Sequence, residues 1–210
     1  MVRHLPFSFP CRVNIEGMKM PRLETERLIL RPPEYSDGSQ LVRLAGDYDV
    51  AGNLAELPHP FTEAEARAFV TRAHEMRALG EGFRFAILDK ESGVLMGCCS
   101  LSLSEGRYKL GTWLGKPYWN QGFATEAAKK LISFAFRDLK VETLWAGWFD
   151  DNPASGHILA KLGFEPVESY LRQSRARGRA VICHRTRLSR DSYGKRKAPA
   201  ARVAAAEAGA

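Results

Sequence analysis

The sequence predicts an α/β fold in which strands and helices are interspersed along one domain. Three observations carry that prediction: seven strand-like runs bounded by Gly, Pro or charged turns, helical patterns that open on capping residues, and one strand that passes through a glycine-containing loop directly into an amphipathic helix. With 210 residues, 45% of them hydrophobic and 26% charged, the chain can bury one sizeable core, so one domain is the expected count.

The elements follow in order. Thr25 to Arg31 alternates enough to read as a strand, and Pro32 with Pro33 ends it because proline cannot continue a sheet ladder. Ser36 to Gly46 reads as a short helix. Thr62 followed by Glu65 forms a capping box, and Phe69, Val70, Ala73 and Met76 keep helical spacing until Gly80 and Gly82. Phe83 to Leu88 and Val94 to Leu103 make a hairpin around Asp89–Gly93, with Gly93 in the left-handed position. The turn Glu105-Gly106-Arg107 feeds a strand from Tyr108 to Leu114. Ala124, Ala127, Ala128, Leu131 and Ala135 then share one helical face, with Glu126, Lys129, Lys130 and Ser133 on the other. Val141 to Phe149 is aromatic and β-branched, a buried strand. Asn152 and Pro153 start another helix that Gly163 closes, and Phe164 to Leu171 and Arg179 to Leu188 pair around Arg177-Gly178.

Composition narrows the function classes. Cys11, Cys98, Cys99 and Cys183 show neither C-x-x-C spacing nor nearby His pairs, so no disulfide framework and no structural zinc is expected. Cys98 and Cys99 are expected to pack within their strand. Pro6 and Pro10 interrupt the only apolar stretch near the start, and no uncharged run approaches a membrane span, which points to a cytoplasmic location and no membrane partner. The formal charge of +7 is uneven: from Arg172 onward there are 11 basic and 2 acidic residues, against 20 and 22 before it. The excess is expected in a basic, alanine-rich disordered tail, and without interleaved aromatic residues it does not predict a nucleic-acid partner. The expected organisation is an N-terminal arm over 1–22, a domain over 23–188 and the tail over 189–210.

The strand, loop and helix from Leu110 to Arg137 carry most of the functional signal. A helix start offers free backbone N–H groups and a positive dipole to an anion, and Gly122 with Ala124 lets backbone approach a pyrophosphate closely. The spacing matches neither G-x-x-x-x-G-K-[ST] nor G-x-G-x-x-G, and the chain holds no G-x-S-x-G elbow and no H-E-x-x-H.

Pro117-Tyr118-Trp119-Asn120-Gln121-Gly122-Phe123-Ala124-Thr125-Glu126-Ala127 closely resembles the coenzyme A loop of GNAT acetyltransferases, in particular the branch that includes ribosomal-protein N-terminal acetyltransferases. Leu23 to Arg31 resembles that branch's first strand, and Asn152-Pro153-Ala154-Ser155 continued by Leu159 to Phe164 resembles its N-x-x-S and K-x-G-F segment. The resemblance spans Leu23 to Leu188. It implies a mixed, mostly antiparallel seven-stranded sheet with about four helices, whose fourth and fifth strands splay apart to admit pantetheine. Trp113 and Leu114 would offer backbone groups to pantetheine and the thioester carbonyl, and the amides of Gln121, Gly122, Phe123, Ala124 and Thr125 would hold the pyrophosphate. One departure is Trp119, where the superfamily usually has Gln or Arg.

The implied reaction is acetyl transfer from acetyl-CoA to a primary amine, a protein N-terminus or a small molecule, by a monomer or homodimer without a metal. By the same resemblance Asn152 would lie near pantetheine and Ser155 would protonate the leaving thiolate, although Asn152 serves equally as a helix N-cap and Ser155 as the N3 residue of that turn. The acidic residue that relatives often carry before the strand's glycine is replaced by Lys109 and Leu110 before Gly111. Glu105, Asp150, Asp151 and Glu168 are the remaining candidate bases, direct loss of the proton to water being the alternative. Pro58-His59-Pro60-Phe61 is expected in the acceptor wall. Trp113, Trp119, Trp145 and Trp148 are expected in the core or groove wall, and His157 at the surface. A non-catalytic acetyl-CoA-binding module, and a ribosome- or RNA-associated protein using its basic end, are the competing readings.

Overall fold

The computed structural model describes residues 21–197; residues 1–20 of the expected arm, with Cys11, and the tail from 198 onward lie outside the described residues. The strands are β1 (Leu23–Glu24), β2 (Leu28–Arg31), β3 (Gly82–Asp89), β4 (Leu95–Ser104), β5 (Arg107–Leu114), β6 (Thr143–Phe149), β7 (Glu165–Ser174) and β8 (Arg179–Ser189). The helices are α1 (Gly38–Ala45), α2 (Tyr48–Ala51), α3 (Glu63–Ala78), α4 (Phe123–Arg137), α5 (Pro153–Leu162) and α6 (Arg190–Lys197). One eight-stranded sheet runs in the order β1-β2-β3-β4-β5-β6-β8-β7, and every neighbouring pair is antiparallel except β5 with β6.

The eighth strand corrects the expected seven. The run from Thr25 turns before it extends: the Leu28 N–H donates to Thr25 Oγ1 at 2.9 Å and the Thr25 N–H to the Leu28 carbonyl at 3.0 Å. A threonine that bonds its own backbone three residues on competes with the ladder, so the segment forms a hairpin of two short strands. The helix count also rises, because α2 adds one turn and α6 stands where the tail was expected to begin. Ser189 caps α6 by accepting the Ser192 N–H at 3.1 Å, and Tyr193 lies 5.0 Å from the Phe136 ring, so residues 190–197 pack on the domain.

Two layers of helix cover the sheet. On one face α4 and α5 bury Ala127, Leu131, Ile132, Ala135 and Leu159 against Leu28, Phe83, Phe85, Leu101 and Leu144, all nearly or fully removed from water. On the other, α1 and α3 bury Leu41, Leu44, Ala66 and Val70 against Ala86, Leu95 and Cys98. Alternation along each strand sends successive side chains to these two cores. The expected N-caps hold: Thr62 accepts from the Glu65 N–H, and Asn152 from the Ser155 N–H.

A clasp ties the β7–β8 turn to the segment after α2. Arg177, 11% exposed, donates to the Gly52 carbonyl at 2.6 Å and to both oxygens of Asp151 at 2.5 and 3.1 Å. Its guanidinium holds the Asp151 carboxyl below the ordinary value. Removing one partner of such a network leaves the others desolvated without compensation. Arg177→Ala is therefore expected to lower unfolding free energy by about 2 kcal/mol in urea denaturation; an unchanged midpoint would show the clasp to be dispensable.

Candidate active site

The parallel pair β5 and β6 stays together for only two register positions, Tyr108 with Leu144 and Lys109 with Trp145. Beyond them the strands diverge into a fork. Which peptide groups face it follows from the antiparallel alternation on either side. Gly115 N–H donates to the Met96 carbonyl, which makes Cys98 with Trp113 a doubly bonded pair in the same register. The Trp113 peptide groups are thus taken up by β4, and those of Leu110, Thr112 and Leu114 face the fork. On β6 the Asp150 N–H donates to Ile182, so Trp145, Gly147 and Phe149 turn their peptide groups toward the fork.

Of Trp113 and Leu114, Leu114 presents its backbone to the fork, and Trp113 contributes its ring to the cavity beneath. The Leu114 carbonyl already accepts the Trp119 indole N–H at 2.7 Å, which leaves its N–H. Trp119, the residue that departs from the superfamily pattern, thereby fixes the end of β5. Thr112 adds a hydroxyl that is buried without a hydrogen-bond partner among the described residues.

The helix α4 begins at the wide end of the fork. Asn120 and Gly122 take positive φ, 60° and 81°, a backbone that Gly adopts freely and Asn more readily than most residues. The first intrahelical bond is Glu126 N–H to the Gly122 carbonyl, and no side chain caps the helix. The amides of Gly122, Phe123, Ala124 and Thr125 therefore converge at an open helix start, a built-in anion cradle. Gln121, just before them, turns its side-chain amide to the Pro117 carbonyl at 2.8 Å, a bond that does not use its backbone N–H.

Glu126, at the fourth helical position, faces away from this cradle. Its carboxylate accepts Thr25 Oγ1 at 2.6 Å, the Arg27 N–H at 3.0 Å and the Arg27 guanidinium at 2.7 Å, and Arg27 in turn donates to the Gln121 carbonyl at 3.2 Å and stacks 4.2 Å from the centre of the Phe123 ring. The β1–β2 turn thus staples the loop. Sequence reading missed this role, since nothing local links residue 27 to residue 126.

On the α1–α3 face the fork opens into a cavity of about 720 Å³, roofed by α3 and by residues 53–58 and floored by β3 to β8. Pro58 and Phe61 line it as expected, and so do Trp113, Trp145 and Trp148. His59 instead packs edge-on against Tyr48, with ring centroids 5.2 Å apart. His157 is exposed.

The four candidate bases are all engaged. Glu105 pairs with Lys109 at 3.4 Å, Asp150 with His184 at 2.6 Å, Asp151 with Arg177, and Glu168 with Arg185. Glu56, Glu65 and Glu81, which sequence reading did not single out, line the cavity, and each faces an arginine.

Asn152 Oδ1 accepts the Ser155 N–H at 3.3 Å, so its capping role is realised, while the Ser155 hydroxyl takes no part in that cap. Trp148 packs against Gly156 on the same turn: a Cβ there would stand 2.8 Å from the indole. Burial pushes the Cys98 thiol up to about 12 and raises Cys99 likewise, so neither is a nucleophile at neutral pH. No group of metal-binding side chains occurs among the described residues, and no described helix is long and apolar enough to cross a membrane.

A forked sheet with an uncapped helix at its open end is the arrangement that the sequence resemblance implies, and comparison with known proteins shows the family. Residues 27–165 match the acetyltransferase (GNAT) domain family. The chain belongs to that family and is an N-acetyltransferase, an acyltransferase by reaction class. It is 31% identical over 179 residues to an uncharacterized N-acetyltransferase, p20, of Bacillus licheniformis, covering 83% of this chain and 99% of that one. It is 24% identical over 155 residues to the [ribosomal protein uS5]-alanine N-acetyltransferase of Escherichia coli K12, covering 69% and 78%. Among solved structures, the microcin C7 self-immunity acetyltransferase MccE, in complex with acetyl-CoA and AMP, superposes with a TM-score of 0.68 at 16% identity, covering 79% of this chain and 93% of that one.

The Glu126 staple has a pH signature. Burial works to raise its carboxyl, and the hydrogen bonds from Thr25 and Arg27 outweigh it, so the folded value lies below the ordinary 4.5. A depressed folded pKa contributes stability that is present above the unfolded value and lost as pH falls through the folded one. Glu126→Gln is expected to be less stable than the parent at about pH 6, with the gap closing as pH falls below the ordinary carboxylate value, in paired thermal melts. A gap independent of pH would contradict the assignment.

Proposed function

We propose that the enzyme transfers the acetyl group of acetyl-CoA to a primary amine, with the fork holding pantetheine and the start of α4 holding the pyrophosphate. The observation that carries this reading is the uncapped α4 N-terminus placed at the open end of the fork. The residues fit the ligand: an extended amide-bearing chain matches the strand edges of Leu114 and Gly147, and an anion matches the converging amides of Gly122 to Thr125. Lys129, Lys130 and Lys161 flank the shallow groove beside Gly122 and supply further positive charge. Acetyl-CoA supplies the activated acyl group as a thioester.

The chain's own contribution is orientation and charge. The Leu114 N–H is a donor for the thioester carbonyl oxygen, and the Ser155 hydroxyl is the proton donor for the departing thiolate, as the resemblance implies. Asn152 sets the turn that carries Ser155. With Glu105, Asp150, Asp151 and Glu168 all in ion pairs, the acceptor ammonium loses its proton to water rather than to a dedicated base. That same pairing favours one competing reading, a module that binds acetyl-CoA without turnover.

Two measurements separate these. Calorimetric titration with acetyl-CoA is expected to show at least about a tenfold loss of affinity in Gly122→Glu, because a carboxylate then meets the pyrophosphate, and near-parent affinity in Gly122→Asn, which tolerates positive φ. Equal affinity in both would refute the placement. Thiol release with an amine panel is expected to fall at least about tenfold in Ser155→Ala without a change in acetyl-CoA affinity; no release by the parent with any amine would favour the non-catalytic module.

A further inference from the structure

The floor of the cavity carries a cation that stands outside every ion pair among the described residues. Arg84 on β3 stands across from Ser100 on β4, and Ser100 stands across from Gly111 on β5, the strand that borders the fork. Paired residues share a face, so the three form one row that reaches the fork in two interstrand steps, about 10 Å. Gly111 keeps the row low: a Cβ there would lie 3.1 Å from the Ser100 hydroxyl.

The Arg84 side chain rises under α3. One guanidinium nitrogen donates to the Phe69 carbonyl at 3.2 Å, and the guanidinium carbon lies 4.1 Å from the centre of the Phe69 ring. That uses one of five N–H donors. Arg72, Arg172, Arg175 and Arg185 around the same cavity each face a glutamate, whereas Arg84 has no carboxylate within ion-pair distance among the described residues. Burial pulls its pKa below the ordinary arginine value, yet a guanidinium stays charged. A half-buried cation with no carboxylate at ion-pair distance, and Glu56 acting on it only from farther away, costs free energy that an incoming anion would recover.

We propose that the acceptor amine carries an anionic group, a carboxylate or a phosphate, that docks on Arg84 with help from the Ser100 hydroxyl while the amine reaches the fork past Gly111. The proposal rests on the acetyl-transfer reading of the fork and names its substrate class. The cavity's charge agrees with it, since Arg107 also lines the cavity, stacks 4.6 Å from the Trp145 ring and forms no close ion pair among the described residues, feeling Glu105 only at longer range.

The first test needs no turnover. Glutarate and inorganic phosphate are titrated separately into the CoA-saturated protein, and the Arg84 side-chain Nε signal, assigned by its disappearance in Arg84→Met, is followed by NMR. A saturable shift with one or both probes is expected, and the responding probe identifies carboxylate or phosphate as the preferred anion. The second test compares kcat/KM for ω-amino carboxylates and amino-alkyl phosphates with that for their neutral amide or alcohol counterparts. The parent is expected to favour the anionic acceptors at least about tenfold, chiefly through KM, with the preference partly kept in Arg84→Lys and abolished in Arg84→Met. Equal or better use of the neutral acceptors, or an Arg84 signal silent to both probes, would overturn the proposal. Failure of acetyl transfer itself looks different: thiol release is absent with every amine, and the Nε titration still decides whether Arg84 binds anions.

Discussion

Two register positions, Tyr108 with Leu144 and Lys109 with Trp145, are all that join the two halves of the sheet at β5 and β6. Everything functional in the fold depends on their not continuing. Peptide groups left without a strand partner must meet water or another hydrogen-bonding chain, because burying them unpaired is costly. The chain satisfies the carbonyls at the fork's open end from within, giving Leu114 the Trp119 indole and Phe149 the Asn152 N–H. It leaves the interior edges of both strands facing each other across a gap. The helix that follows β5 starts at the mouth of that gap with no side chain over its amides, so extended-chain recognition and anion recognition adjoin.

The surrounding structure holds this arrangement in place. Glu126 and Arg27 pin the loop before α4 to the β1–β2 turn, and Arg177 pins the β7–β8 turn to the residues that roof the cavity. Both devices are ion pairs reinforced by backbone hydrogen bonds and partly shielded from water, where such contacts outweigh isolated surface pairs. The result is a fork secured on both flanks, with the uncapped start of α4 and the cavity beneath α3 on opposite sides of one strand edge.

Much of the fold was legible because local rules agreed with the global answer. Turn glycines, the Thr62 and Asn152 caps and the alternating strands all fell where the elements stand. The misses share a physical cause, which is that they depend on partners distant in sequence or on which edge of a strand is paired. Thr25 reads as strand until its hydroxyl is seen bonding Leu28. Ser189 is a good cap, but α6 is stabilised by Tyr193 against Phe136, 57 positions away. Trp113 and Leu114 are adjacent, and only the register with β4 shows that one peptide faces the fork and the other does not. Charge was misplaced for the same reason. The basic excess after Arg172 was read as a solvated tail, whereas Arg172, Arg175 and Arg185 belong to the β7–β8 hairpin and its turn and line the cavity.

Following the backbone amides of the protein by ¹⁵N NMR while acetyl-CoA is added tests the central claim most directly. The account predicts saturable shifts concentrated at Gly122, Phe123, Ala124 and Thr125 together with Leu114 and Gly147 on the two edges of the fork. Shifts that spare these amides and gather elsewhere on the surface would contradict it.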